Sequence, residues 1–143
     1  MTLQTDEWVA FALHFTTQQW AGGDLARTVA MTECIVASFD LLQKLWSTPI
    51  DQDGMSAARF VTHIRYLFAR VERGRQLPNA RVDLMASVRA AWPEAAMAAE
   101  QLSLLIGDAL GHVLTAEETA YLALHVSRLY ADLHELPRPD HIG

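Results

Sequence analysis

The chain has 143 residues, enough to bury one ordinary hydrophobic core, and 51% of them are apolar. Its formal charge of −6, with Lys44 the sole lysine, excludes the broad electropositive surface with which a protein grips nucleic-acid phosphates or anionic lipid, so no direct nucleic-acid binding is expected of it. The opening residues MTLQTDEWVA carry acids where a secretory signal carries positive charge, and no apolar run reaches the length of a bilayer span, which predicts a soluble, cytoplasmic protein without membrane insertion.

Apolar residues recur with a helical period along nearly the whole chain, and no stretch alternates as a half-buried strand does, so the expected fold is all-α. Ala21-Gly22-Gly23-Asp24 stops one helix and caps the next, and the glycine pair marks a module boundary. Leu25, Val29, Thr32, Val36, Phe39, Leu42 and Trp46 then step by three or four and mark a long helix. Cys34, the single cysteine, lies inside that pattern and reads as a buried, inert thiol. Pro49, Asp51, Asp53 and Gly54 form a turn before a second helix with Phe60, Ile64, Leu67 and Val71 on its inner face, ended by Gly74. A third, shorter helix is expected from about Asn79 to Ala91, and Pro93 fits the first turn of a fourth, which Gly111 closes. Thr115 and Glu118 have the spacing of a capping box and open a last helix, which runs through Tyr121, Leu124 and Leu129 until Pro137 and Pro139 forbid it. Five helices with short connections imply an antiparallel bundle over residues 24–136, followed by a tail at 137–143.

Self-similarity adds a second level of organisation. LQTDEWVAFALHF near the start aligns without gaps with LTAEETAYLALHV near the end. Leu3, Glu7, Ala12, Leu13 and His14 match Leu114, Glu118, Ala123, Leu124 and His125. If the later segment is the last helix of a bundle, residues 1–20 are expected to be the last helix of a preceding copy whose remainder is missing.

The closing signature EETAYLALHVSR at Glu117 to Arg128, the earlier signature RFVTHIRYLFAR at Arg59 to Arg70, and the connecting pattern from Asn79 through WPEAAMAAEQLSLLIGDALGHVLTAEE resemble one family. These are the PRDs, the phosphotransferase-system regulation domains that occur in tandem in bacterial antiterminators and activators of sugar operons. The resemblance covers essentially the whole chain. It implies a non-enzymatic regulatory module, a homodimer, phosphorylated on histidine by the phosphocarrier HPr or a sugar-specific permease component, and it implies no cofactor. By matching position, the phosphorylatable histidines fall at His63 and His125, with His14 in the equivalent place of the preceding copy. The nucleic-acid-binding output domain normally found upstream is not in this sequence.

The residue chemistry suits that implication. Neutral imidazole is a nucleophile near neutral pH, and receiving a phosphoryl group from another phosphohistidine is nearly isoenergetic. The acceptor then carries about two negative charges and three strong acceptor oxygens. Arg70 lies on the helix face of His63, where it is expected to meet a phosphate or orient the ring, and Arg128 stands one turn after His125. Glu118, two turns before His125, is placed either to accept an imidazole N–H or to cap its helix.

Plainer readings stand beside these. A histidine on an apolar helix is commonly a satisfied structural residue, and Arg70 and Arg128 can simply pair with carboxylates. His112, His134 and His141 read as solvated bystanders, and the cluster Arg65, Arg70, Arg73, Arg75 as complement to a helix C-terminus. One rival function is a metal-binding bundle in which His14, His63 and His125 converge with Glu118, although neither Glu-x-x-His nor His-Glu-x-x-His occurs. Another is a purely structural dimerisation module. No nucleophile elbow, phosphate-binding loop or Cys/His pair suggests catalysis.

Overall fold

A computed structural model describes residues 24–78 and 83–135, and every element among them is helical. The five helices are α1 (Asp24–Trp46), α2 (Met55–Glu72), α3 (Leu84–Ala91), α4 (Pro93–Leu110) and α5 (Ala116–Glu135). The bundle expected from the hydrophobic period is present. The helix read at residues 1–20, with His14, and the tail at 137–143, with His141, lie outside the described residues.

Two compact units divide the chain, Met1–Glu33 and Cys34–Gly143. In the first, the described residues form the opening turns of α1, where the hydroxyls of Thr28 and Thr32 donate to the carbonyls of Asp24 and Thr28 at 3.0 and 2.9 Å.

The second unit holds the core, and α5 is its centre: α2, α3 and α4 all pack against it. Ala120, Leu122, Ala123, Val126 and Leu129 of α5 are buried. α4 offers a face of small residues, with Ala95, Ala96, Ala98 and Ala99 buried ahead of Leu102 and Ile106, so the two backbones approach closely. α2 buries the stripe Phe60, Ile64, Leu67 and Val71 that its spacing predicts, and Phe60 meets the edge of Phe39 from α1 at a centroid distance of 5.3 Å.

The periodic series in α1 is only half buried. Val29 and Val36 are 43% and 55% exposed, and the buried side chains are Cys34, Ser38, Phe39 and Leu42. Ser38 can occupy the inner stripe because its hydroxyl donates to the Cys34 carbonyl at 2.8 Å, which satisfies it without a partner from another helix. Burial pushes the Cys34 thiol pKa up, so the group stays a neutral apolar filler.

Helix ends follow local chemistry. α3 is described from Leu84, where the Asp83 carboxylate accepts the Ala86 N–H at 3.0 Å and caps the first turn, and Asn79, the start expected from the sequence, lies outside the described residues. Pro93 opens α4. α2 and α4 both end in a left-handed glycine, Gly74 at φ 67° and Gly111 at φ 73°. In each the next residue's N–H reaches back five positions, Arg75 to the Arg70 carbonyl at 2.7 Å and His112 to the Gly107 carbonyl at 3.0 Å. That second return explains Gly107, where a Cβ would lie 2.5 Å from the His112 carbonyl oxygen.

Candidate functional site

α2 and α5 meet at two levels. His63 faces His125 at one, and Arg70 faces Glu118 at the other, so residue numbers rise along α2 as they fall along α5 and the helices are antiparallel. Both levels depend on the same register, which the apolar stripe of α2 sets by packing into the core.

At the lower level the buried carboxylate is fully engaged. The Glu118 carboxylate is fully buried and accepts two parallel hydrogen bonds from Arg70, Nε to Oε2 at 3.0 Å and Nη2 to Oε1 at 2.7 Å. Oε2 also accepts the Leu77 N–H at 2.9 Å. The left-handed turn at Gly74 directs the chain back so that Gln76 and Leu77 lie against the start of α5. There the Thr115 hydroxyl accepts the Glu118 N–H at 3.1 Å and donates to the Leu77 carbonyl at 2.7 Å. Gln76 completes the join, accepting the Thr115 N–H at 2.8 Å and donating to the Val113 carbonyl at 3.0 Å.

This arrangement corrects the expected capping box. Thr115 does cap α5, but the Glu118 side chain turns to Arg70 and Leu77, and Gln76 takes the Thr115 N–H in its place. Burial alone would raise the Glu118 pKa, but the hydrogen bonds from Arg70 and the Leu77 N–H, with the Arg70 charge, hold it below the ordinary carboxylate value. The same bond raises the pKa of Arg70. Of the two readings of Arg70, the pairing with a carboxylate is the one observed, and Glu118, read as an imidazole partner or a cap, is that carboxylate.

At the upper level each ring keeps one buried nitrogen unpaired. The His63 and His125 rings stack at a centroid distance of 4.5 Å with 31° between their planes. Nε2 of His63 and Nδ1 of His125 are buried without a hydrogen-bond partner. Both rings line an open hollow of about 320 Å³ with Met55, Ala58, Arg59, Thr62 and Tyr66. These last five residues belong to the face of α2 opposite its core stripe. Met55 and Tyr66 are 69% and 63% exposed and rim the hollow.

Burial holds the His63 pKa down to about 4, reinforced by the charges of His125 and Arg70 and opposed by Glu118. His125 is lowered in the same way, first by burial and then by Arg128 and Arg59. Both rings are therefore neutral at pH 7 and retain a lone pair, the state a nucleophilic or metal-binding imidazole requires. Among the described residues no three His, Cys, Asp or Glu side chains gather in a metal-holding group, and Glu118, one of the ligands a metal reading needs, is committed to Arg70.

Of the residues singled out in the sequence, the structure brings together His63 with His125 and Arg70 with Glu118, and places exposed Arg128 close enough to His125 to influence its charge. His134 is engaged locally, its Nδ1 2.9 Å from the Tyr130 carbonyl and its ring against Tyr130. Sequence reasoning missed Arg59, Thr62 and Tyr66, although the spacing of Arg59 and Tyr66, one turn to either side of His63, was available as a signal.

The PRD domain family model matches residues 37–129, well over half of the chain and inclusive of both histidines. The transcription antiterminator LicT of Bacillus subtilis (strain 168) is 20% identical over 129 residues, covering 90% of this chain and 46% of LicT. The chain thus spans somewhat less than half the length of that curated relative. No solved structure matches it. On the family model's match across the helices that carry the paired histidines, the chain belongs to the PRD family.

Proposed function

We propose that the chain is a regulatory module of a bacterial transcription antiterminator or activator, acting without catalysis of its own. In this reading the sugar phosphotransferase system, through HPr or a permease component, phosphorylates the histidine pair and thereby shifts a dimerisation equilibrium and the output of the parent protein. The observation that carries the reading is the contrast between ordinary buried polar groups, which are hydrogen-bonded, and two adjoining imidazoles whose buried nitrogens have no partner while their rings line an open hollow. A structural histidine would have satisfied nitrogens. Adding about two negative charges there, beside Arg59 and Arg128, creates one or two charge-assisted hydrogen bonds of about 1.5–3 kcal/mol each, enough to change an association constant by tenfold or more. The relative LicT is by name a transcription antiterminator, which supports the assignment of the parent protein's output.

The test is a reconstituted phosphorelay. Incubation with phosphorylated HPr is expected to place phosphate on the chain, to lose it when both His63 and His125 are changed to Gln, and to alter the mass measured by sedimentation equilibrium. Absence of transfer from HPr and from permease components alike would rule the reading out and leave a structural dimerisation module.

A further inference from the structure

Among the described residues the five most exposed large apolar side chains are Val113, Leu104, Met55, Met97 and Tyr66. They fall on two faces of the second unit. Met55 and Tyr66 lie with Arg59 on the side of α2 opposite its core stripe, and Arg73, two turns after Tyr66, continues that ridge at the helix end. Met97 and Leu104, also two turns apart, lie on the side of α4 opposite its buried alanines, with Glu100 between them and Asp108 one turn further on. Val113, 90% exposed, stands in the loop that follows. Apolar side chains grouped in this way on a folded surface mark a contact with another molecule.

Each face sets projecting apolar side chains beside a hollow. The α2 ridge borders the hollow of about 320 Å³ that His63 and His125 line. The α4 face has a hollow of about 330 Å³, with Leu104, Asp108 and Val113 in its walls. Its loop is already fixed, since the Val113 carbonyl accepts from Gln76 and the His112 N–H donates to the Gly107 carbonyl, so little conformational freedom is lost when something docks there.

The charges of the two faces are opposite. From Met55 to Tyr66 the only charged residues are arginines, and the ridge adds Arg73. α4 carries Glu94, Glu100 and Asp108 with no lysine or arginine, and Glu100 is met on the surface by Arg89 of α3. Pairing either face with its own kind would set arginine against arginine or carboxylate against carboxylate, which opposes association. Pairing the unlike faces joins apolar with apolar and arginine with carboxylate.

We infer that the α4 face of one copy of this chain docks on the α2 face of a second copy, with Leu104 and Val113 covering the hollow that the paired histidines line. The second copy thereby shields the rings, and shielding and approach by any other molecule exclude one another. The contact requires no phosphoryl transfer and stands apart from the proposed function.

Sedimentation equilibrium of the full, unmodified chain tests it. The mass is expected to rise with concentration. L104D/V113D spoils the α4 face and M55D/Y66D the α2 face, and each is expected to lower the association constant about a hundredfold, roughly tenfold per side chain. All four side chains are exposed, so thermal melts of the variants are expected to stay close to that of the unaltered chain. Mixed in equal amounts, the two variants again offer one intact face of each kind and are expected to associate at least tenfold more tightly than either does alone. R73D, which alters no apolar side chain, is expected to weaken association about tenfold. An unaltered chain that stays monomeric, a double variant that still associates as the unaltered chain does, or a mixture no tighter than its components overturns the inference. No phosphodonor enters this experiment, so its failure leaves the proposed function standing, and failure of transfer from HPr leaves this contact standing.

Discussion

The same two helices present opposite solutions to burying polar groups. At the Arg70–Glu118 level a carboxylate with no exposed surface is held by three hydrogen bonds, and the loop that follows α2 is fastened to the start of α5 around it. Seven residues away along each helix, two imidazoles are pressed together with a buried nitrogen apiece left over. The satisfied level braces α2 on α5 in the register that core packing sets; the unsatisfied one leaves two neutral rings lining an open hollow. A pair of neutral rings in contact costs little until a charge arrives, and the ion pair below keeps the helices aligned while it does.

Breaking the lower level is expected to have the largest effect. E118A leaves the Arg70 guanidinium half-buried without its partner and strips the Leu77 N–H, and should lower stability by about 3 kcal/mol in denaturant titration. Replacing both partners with apolar residues of similar size should cost clearly less than the single change, and an equal cost would show that the pair contributes attraction rather than register.

Lowering pH attacks the upper level next. A histidine whose folded pKa lies near 4, below its ordinary 6.5, contributes stability that is complete above 6.5 and is lost as pH falls toward 4, because the unfolded chain takes up the proton first. Thermal unfolding followed from pH 7 to pH 4 should therefore show a decline worth up to about 3 kcal/mol, with His125 acting in the same direction. The decline should be largely absent from the H63Q/H125Q double variant. Glu118, whose folded pKa is depressed, adds stability that is lost only at lower pH, as its carboxylate protonates.

Smaller effects sharpen the contrast. T115A removes the oxygen that accepts the Glu118 N–H and should cost about 1 kcal/mol. H63L exchanges an unpartnered buried nitrogen for carbon and should leave stability unchanged or raise it by up to about 1 kcal/mol, the reverse of what a bonded structural histidine would give.

Periodicity made α2 legible: Phe60, Ile64, Leu67 and Val71 differ sharply from the arginines around them, and the helix buries them. α1 was legible as a helix but not in its orientation, since its buried stripe contains Ser38 and Cys34 while valines face outward. A hydroxyl that bonds to its own helix has no polar signature from the core's side. At the site, the motifs single out His63, His125, Arg70 and Glu118, but their pairing depends on how far α2 slides along α5, which packing decides. That slide joins Arg70 to Glu118 and leaves the rings to each other. The earlier copy of the repeat, with His14, lies outside the described residues.

The doubly bonded carboxylate and guanidinium also give α2 a fixed point on α5. The histidines lie about 10 Å along the helix from it and the start of α2 at Met55 about 22 Å, at 1.5 Å of rise per residue. A group that wedges the rings apart while that point holds tilts α2 instead of sliding it, and a tilt of about 5° carries Met55 roughly 2 Å. Under the proposed function, leverage of that length would convert a change the size of one phosphoryl group into movement at the exposed rim formed by Met55 and Tyr66.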